Sequence, residues 1–187
     1  MVGAVWVPGL GLALSSVGFG AITTFIVLLF AQHGWSQAWL AFTVLSIAFM
    51  AGRLMFGHLP DRIGGARVAL VCVLIEAAGQ ALIWLASWPT LALFGAAVTG
   101  FGYSLVYPGF GVEAVRNAPP ESRGLAMGAY TAFLDLALGF ANPALGLVAS
   151  GAGLSGVYLV STLVVLCAAI IAVRLLNAPS FRMKTRS

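Results

Sequence analysis

Of 187 residues, 61% are hydrophobic and only 7% are charged, far below the roughly 25% charge of a soluble domain. A surface that poor in charge cannot stay hydrated, so a soluble globular domain is excluded and lipid is the main solvent. The formal net charge of +4 does not signal a nucleic-acid partner, because the basic residues stand singly between apolar runs and form no patch.

At about 20 residues per crossing plus a short loop, the chain has room for about six membrane spans. The start reads as a span and not as a cleavable signal, since no basic residue precedes the first apolar run, which is longer than a signal core. No Asp, Glu, Lys or Arg occurs before Arg53. That stretch is too long for one span and breaks at Gln32-His33-Gly34-Trp35-Ser36-Gln37. It predicts helices over about 8–31 and 37–57. After the loop Gly57 to Gly65, a third helix is expected over about 67–86, ending at Ser87-Trp88-Pro89-Thr90. Pro89 suits the first turn of a fourth helix over about 90–112. Glu113 to Arg123, with Pro119-Pro120, is the most polar loop. A fifth helix over about 124–149, the tight turn Ser150-Gly151-Ala152-Gly153 and a sixth helix over about 154–176 complete the spans. Residues 177–187 are expected to form a basic cytoplasmic tail.

Barrel strands would need about ten residues of strict alternation, and Val160 to Val173 does not alternate. The fold class is therefore all-α membrane, with each span satisfying its own backbone groups. With six spans, all nine basic residues fall on one side: Arg53, Arg62, Arg67, Arg116, Arg123, Arg174, Arg182, Lys184 and Arg186. The excess of Lys and Arg marks that side, with both termini, as cytoplasmic. Trp35, Trp39, Trp84 and Trp88 cluster at the opposite interface, as an aromatic belt does. Cys72 and Cys167 sit in apolar runs without metal-ligand spacing and read as packing residues. No cofactor is implied.

Between the second and third helices the sequence reads Gly57-His58-Leu59-Pro60-Asp61-Arg62-Ile63-Gly64-Gly65-Ala66-Arg67. It resembles the signature cytoplasmic loop of the major facilitator superfamily, in which Gly, then Asp-Arg, then Gly and basic residues join two helices. Gly57, Asp61, Arg62 and Gly64 fit that pattern. Gly65 and Ala66 replace a usual basic pair, and Arg67 supplies one charge slightly later. A second match, Pro119-Pro120-Glu121-Ser122-Arg123-Gly124 with Ala126 and Gly128, is similar to the loop before helix eleven of these transporters. The resemblance covers nearly the whole chain. It implies helices seven to twelve of a twelve-helix carrier of the drug and sugar efflux branch, in a bacterial inner membrane. The partners implied are the lipid bilayer, a small-molecule substrate, protons, and a missing N-terminal six-helix half or a second copy. From the residues alone, the loop is either a conformational switch, with Asp61 accepting hydrogen bonds from a helix N-terminus, or a solvated turn that orients the chain.

Two carboxyl groups fall near mid-bilayer. Asp135 lies roughly 16 Å along the fifth helix and Glu76 roughly 14 Å along the third. A lone charge there costs at least about 3 kcal/mol, so each should be neutral, paired or facing water. Thr131, Asp135 and Asn142 lie close to one helical face, with Gly139 beside them. That stripe is expected to face the bundle interior as a substrate or proton site, or to be hydrogen-bonded structurally. Cys72, Glu76 and Gln80 form a second stripe, on a helix that the resemblance makes mostly peripheral. Glu76 is there a proton site or a carboxylic acid bonded between helices. Tyr103 and Tyr107 share a face before Pro108 and line a cavity or pack.

The leading expectation is half of a secondary transporter, working by alternating access in proton-coupled efflux. A truncated fragment inactive alone is the alternative. An intramembrane enzyme is the weakest reading, because His33 and His58 both fall in loops, away from any serine at membrane depth.

Overall fold

The computed structural model describes residues 2–116 and 118–177, and all regular structure among them is helical. In chain order the elements are α1 (Val2–Gln32), α2 (Trp39–Phe56), the short α3 (Leu59–Ile63), α4 (Gly65–Trp84), α5 (Pro89–Tyr103), α6 (Val106–Arg116) and α7 (Arg123–Asn177), with one 3-10 turn at Pro120–Ser122. The expected tail lies outside the described residues apart from Asn177.

At 1.5 Å per residue, an unbroken α7 of 55 residues would be about 80 Å long, more than twice the hydrocarbon thickness. It breaks at Gly153, whose φ of 77° and ψ of 172° are non-helical. The segments 123–152 and 154–177 both pack on α1. Asn142 of the first meets Gly20, and Tyr158 of the second bonds the Ala21 carbonyl. The chain therefore reverses at Gly153 and crosses twice.

The fourth crossing is split into α5 and α6. Pro108 has no N–H for the carbonyl of Ser104, four residues earlier, and its ring crowds that carbonyl. Ser104 N–H is shared between the Gly100 and Phe101 carbonyls, and its Oγ also donates to Phe101 O at 2.6 Å. The crossing then runs on to Arg116, a turn beyond the expected end.

Helices in lipid gain nothing by hiding apolar surface from water, so they associate where small residues let backbones approach. The seam of α4 with α5 and α6 follows this rule. Gly65, Ala69, Cys72 and Gly79 face Gly95, Thr99, Gly102 and Gly109. A Cβ on Gly102 would stand 2.7 Å from Cys72 O and 2.8 Å from Glu76 Cα, so no larger residue fits.

Candidate functional site

The seam positions a buried polar network. Glu76 and Gln80 of α4, Ser15 and Ser16 of α1, Thr99 of α5 and Ser161 of α7 are all fully buried. Ser15 Oγ donates to Glu76 Oε2, while Glu76 Oε1 has no partner among the described residues. Gln80 Nε2 donates to Gly18 O at 3.0 Å and to Thr99 Oγ1 at 3.4 Å, and Ser161 Oγ donates to Gln80 Oε1 at 2.9 Å. One glutamine thus ties four crossings together. The third helix, expected to be mostly peripheral, keeps one bare face and turns the other inward. Val71, Leu74 and Ala78 form an exposed stripe on α4, yet Glu76 and Gln80 point the opposite way, into the bundle.

Tyr103 lies between this network and an open cleft. Its hydroxyl is 3.0 Å from Ser16 Oγ, and its ring stacks on Phe19 at 4.9 Å. The cleft, of about 530 Å³, lies between α1, α2 and α5. Ser46, Phe49, Met50 and Arg53, one face of α2, form its outer wall. Tyr107 does not join Tyr103 there, because the break before Pro108 turns it toward α7. Its hydroxyl is 3.0 Å from Thr131 Oγ1, and its carbonyl accepts from Tyr130 at 2.8 Å.

The expected inward stripe on α7 divides. Thr131 is half-buried against Tyr107, and Asn142 is half-buried with its Oδ1 enclosed against Gly20 and unpartnered among the described residues. Asp135 and Gly139 are exposed. Asp135 is rotated roughly 40° from Thr131, away from the buried side that Tyr130 and Leu145 mark. The bundle interior of this chain therefore does not receive Asp135.

In the loop that carries the family resemblance, Asp61 and Arg62 are exposed on α3, and Asp61 makes no hydrogen bond or ion pair among the described residues. Gly64 turns the chain into α4 with φ of 98°, a left-handed value that glycine adopts without strain. The N-terminus of α4 is held by Glu113, read from the sequence merely as a loop residue. Its Oε1 accepts from Ala66 N at 3.2 Å, and Oε2 lies 3.1 Å from Arg116 Nη1. Arg67 lines the small cleft beside this pair. The available signal was a glutamate three residues before an arginine at the end of an apolar run.

A family model described as Major Facilitator Superfamily matches residues 9–187. An uncharacterized MFS-type transporter of Pseudomonas aeruginosa (strain UCBPP-PA14) is 44% identical over 175 residues, covering 94% of this chain and 44% of its own length. One from Burkholderia mallei (strain SAVP1) is 50% identical over 151 residues, covering 81% of this chain and 37% of its own. The uncharacterized MFS-type transporter YhhS of Salmonella typhimurium is 41% identical over 179 residues, covering 96% of this chain and 44% of its own length. The chain thus spans less than half the length of these relatives. Among solved structures, an auto-inhibited POT family peptide transporter superposes with a TM-score of 0.78 at 16% identity, over 94% of this chain and 37% of that one. At that identity the likeness is one of fold.

Proposed function

The chain belongs to the major facilitator superfamily, and from that premise we propose that it is one half of a secondary transporter. The half moves a small molecule by alternating access, with a second six-helix half completing the site. Asp135 is the observation that carries this reading. It lies mid-span on an exposed flank, where a charge facing lipid costs about 3 kcal/mol or more. Beside it lie the exposed small residues Gly128, Ala132 and Gly139, which suit close helix contact and give lipid little to cover. Protein or a water-filled cavity fits that flank better than acyl chains do, and transporter sites lie between halves. In the assembled carrier Asp135 exchanges the coupling proton during efflux, and the Asp61 loop docks on the other half. The chain resides in the bacterial inner membrane with both termini cytoplasmic, because the arginines stand at one end of the spans and Trp35, Trp39, Trp84 and Trp88, four of the five tryptophans, at the other.

The test is reconstitution of the chain with and without the N-terminal half of one of its relatives. Vesicles holding both should couple solute movement to a pH gradient, and vesicles holding the chain alone should not. Equal flux in both, or flux indifferent to the gradient, would contradict the proposal. Cysteines at Gly34 and Ser155 should label from outside the cell, and one at Arg62 should not.

A further inference from the structure

We infer that the cleft between α1, α2 and α5 is the substrate subsite of this half, and that it takes an organic anion with an apolar body and one carboxylate or similar oxyanion held by Arg53. The word substrate rests on the transport reading above, while the binding chemistry stands on the cleft itself. A volume of about 530 Å³ falls in the range of small-molecule sites, roughly 300–1,000 Å³. The walls are aromatic and aliphatic: Phe19 stacked on Tyr103, with Phe49 at 6.3 Å from the tyrosine and Met50 beside it. Tyr103 turns its hydroxyl inward to Ser16 and shows the cleft its ring. The polar chemistry of the lining is thereby left to Ser46 and Arg53, with no carboxylate among the lining residues.

Arg53 sits one turn inside the end of α2, exposed, and its guanidinium makes no hydrogen bond or ion pair among the described residues. A guanidinium offers five donors in a planar fork that matches an oxyanion in a bidentate way. Near the end of a span such a group reaches the aqueous face while its stem lines the cleft, so it can meet an incoming anion. Ser46 and Arg53, two turns apart on one face of α2, bracket Phe49 and Met50. An elongated ligand therefore lies along α2, with its charged end at Arg53 and its apolar body against the three aromatic rings. A cationic solute meets no carboxylate in this lining and is disfavoured by the like charge of Arg53.

The 187-residue chain in nanodiscs of zwitterionic lipid tests this by equilibrium dialysis with three probes that share one body: naphthoate, naphthalenemethanol and naphthalenemethylamine. Naphthoate should bind about tenfold more tightly than the alcohol, in keeping with the added strength of charge-assisted hydrogen bonds, and the amine most weakly. Arg53→Gln should lower naphthoate to the level of the alcohol and leave the alcohol unchanged. Arg53→Lys should retain part of the preference, and Phe49→Ala should weaken naphthoate and alcohol alike. Thermal unfolding of each variant separates lost binding from lost fold, and should Arg53→Gln not fold, Arg53→Lys carries the test.

Equal affinity for the three probes, or an Arg53→Gln chain that still prefers naphthoate, overturns the inference. So does full displacement of naphthoate by phosphatidylglycerol, which would assign Arg53 to a lipid headgroup. Loss of the preference on adding the N-terminal half would assign Arg53 to an ion pair between halves, and also overturns it. The transport reading fails separately, if the assembled protein moves no solute.

Discussion

The seam of α4 with α5 and α6 and the bare flanks presented by α2 and by the 123–152 segment are all strongly apolar, yet they end in opposite states. In α4 the apolar stretch is 56% buried; in α2 it is 17%. At the seam, glycine faces glycine, and Glu76 and Gln80 are enclosed with hydrogen-bonding partners from other helices. On the flank, Gly124, Gly128 and Gly139 have nothing within 4 Å of an added Cβ, and Asp135 has no enclosure. The same small residues therefore mean a finished contact in one place and a vacant one in the other. The seam is the part of the fold this chain completes for itself, and the flank is the part that the proposed second half would cover.

Substitution should separate the two regions most sharply at their glycines. Gly102→Leu drives a side chain into the Cys72 and Glu76 backbone. Overpacking a tight core costs typically about 1–3 kcal/mol, and more where backbone must shift. The chain should fail to elute as a folded species in detergent. Gly139→Leu meets open space and should leave elution and unfolding temperature near those of the parent. Equal effects at both positions would erase the distinction between seam and flank.

Next in size is the effect of Asp135→Asn. Asparagine keeps the shape and much of the hydrogen bonding but cannot exchange a proton. Reconstituted with an N-terminal half, this variant should lose gradient-driven transport while its unfolding temperature stays within a degree or two of the parent. Glu76→Gln should reverse that ranking. It retains an acceptor for Ser15 inside the seam, so its changes belong to stability more than to coupling. Full gradient-driven transport by Asp135→Asn would move the proton site off the flank.

Much of this architecture was legible in the sequence, and the misses have physical causes. The six crossings follow from apolar run lengths and from breakers such as Gly34 and Gly153, because lipid forces the polar backbone of each apolar run to satisfy its own hydrogen bonds in a helix. Helical spacing placed Thr131, Asp135 and Asn142 near one face, but a face some 80° wide once Gly139 is included can straddle the edge between buried and bare. Which edge is buried depends on where α1 and α6 lie, and periodicity does not contain that. Tyr103 and Tyr107 share a face by spacing alone, but the Pro108 ring acts four residues upstream and separates them. By sequence alone Arg53 is an orienting charge, since two of the aromatic walls near it, Phe19 and Tyr103, come from α1 and α5, far away in sequence.

The smallest effect is expected where the two regions meet the aqueous interface. Glu113 is 8% exposed and serves two neighbours, the Ala66 N–H at the start of α4 and Arg116, which is 45% exposed. A half-exposed ion pair contributes only about 0–1 kcal/mol, whereas satisfying a helix N-terminal N–H contributes about 0.5–2 kcal/mol. The cap should therefore outweigh the pair. Glu113→Gln keeps an oxygen acceptor for Ala66 and loses the charge, so thermal unfolding in detergent should change by the equivalent of less than about 1 kcal/mol. Glu113→Ala removes the cap and leaves a buried N–H without a partner, so it should cost about 1–2 kcal/mol. Raising the salt concentration should narrow the gap between parent and Glu113→Gln, because salt screens the exposed guanidinium. The gap to Glu113→Ala should persist. If Glu113→Gln is as damaging as Glu113→Ala, the ion pair, and not the cap, fixes α4 at its start.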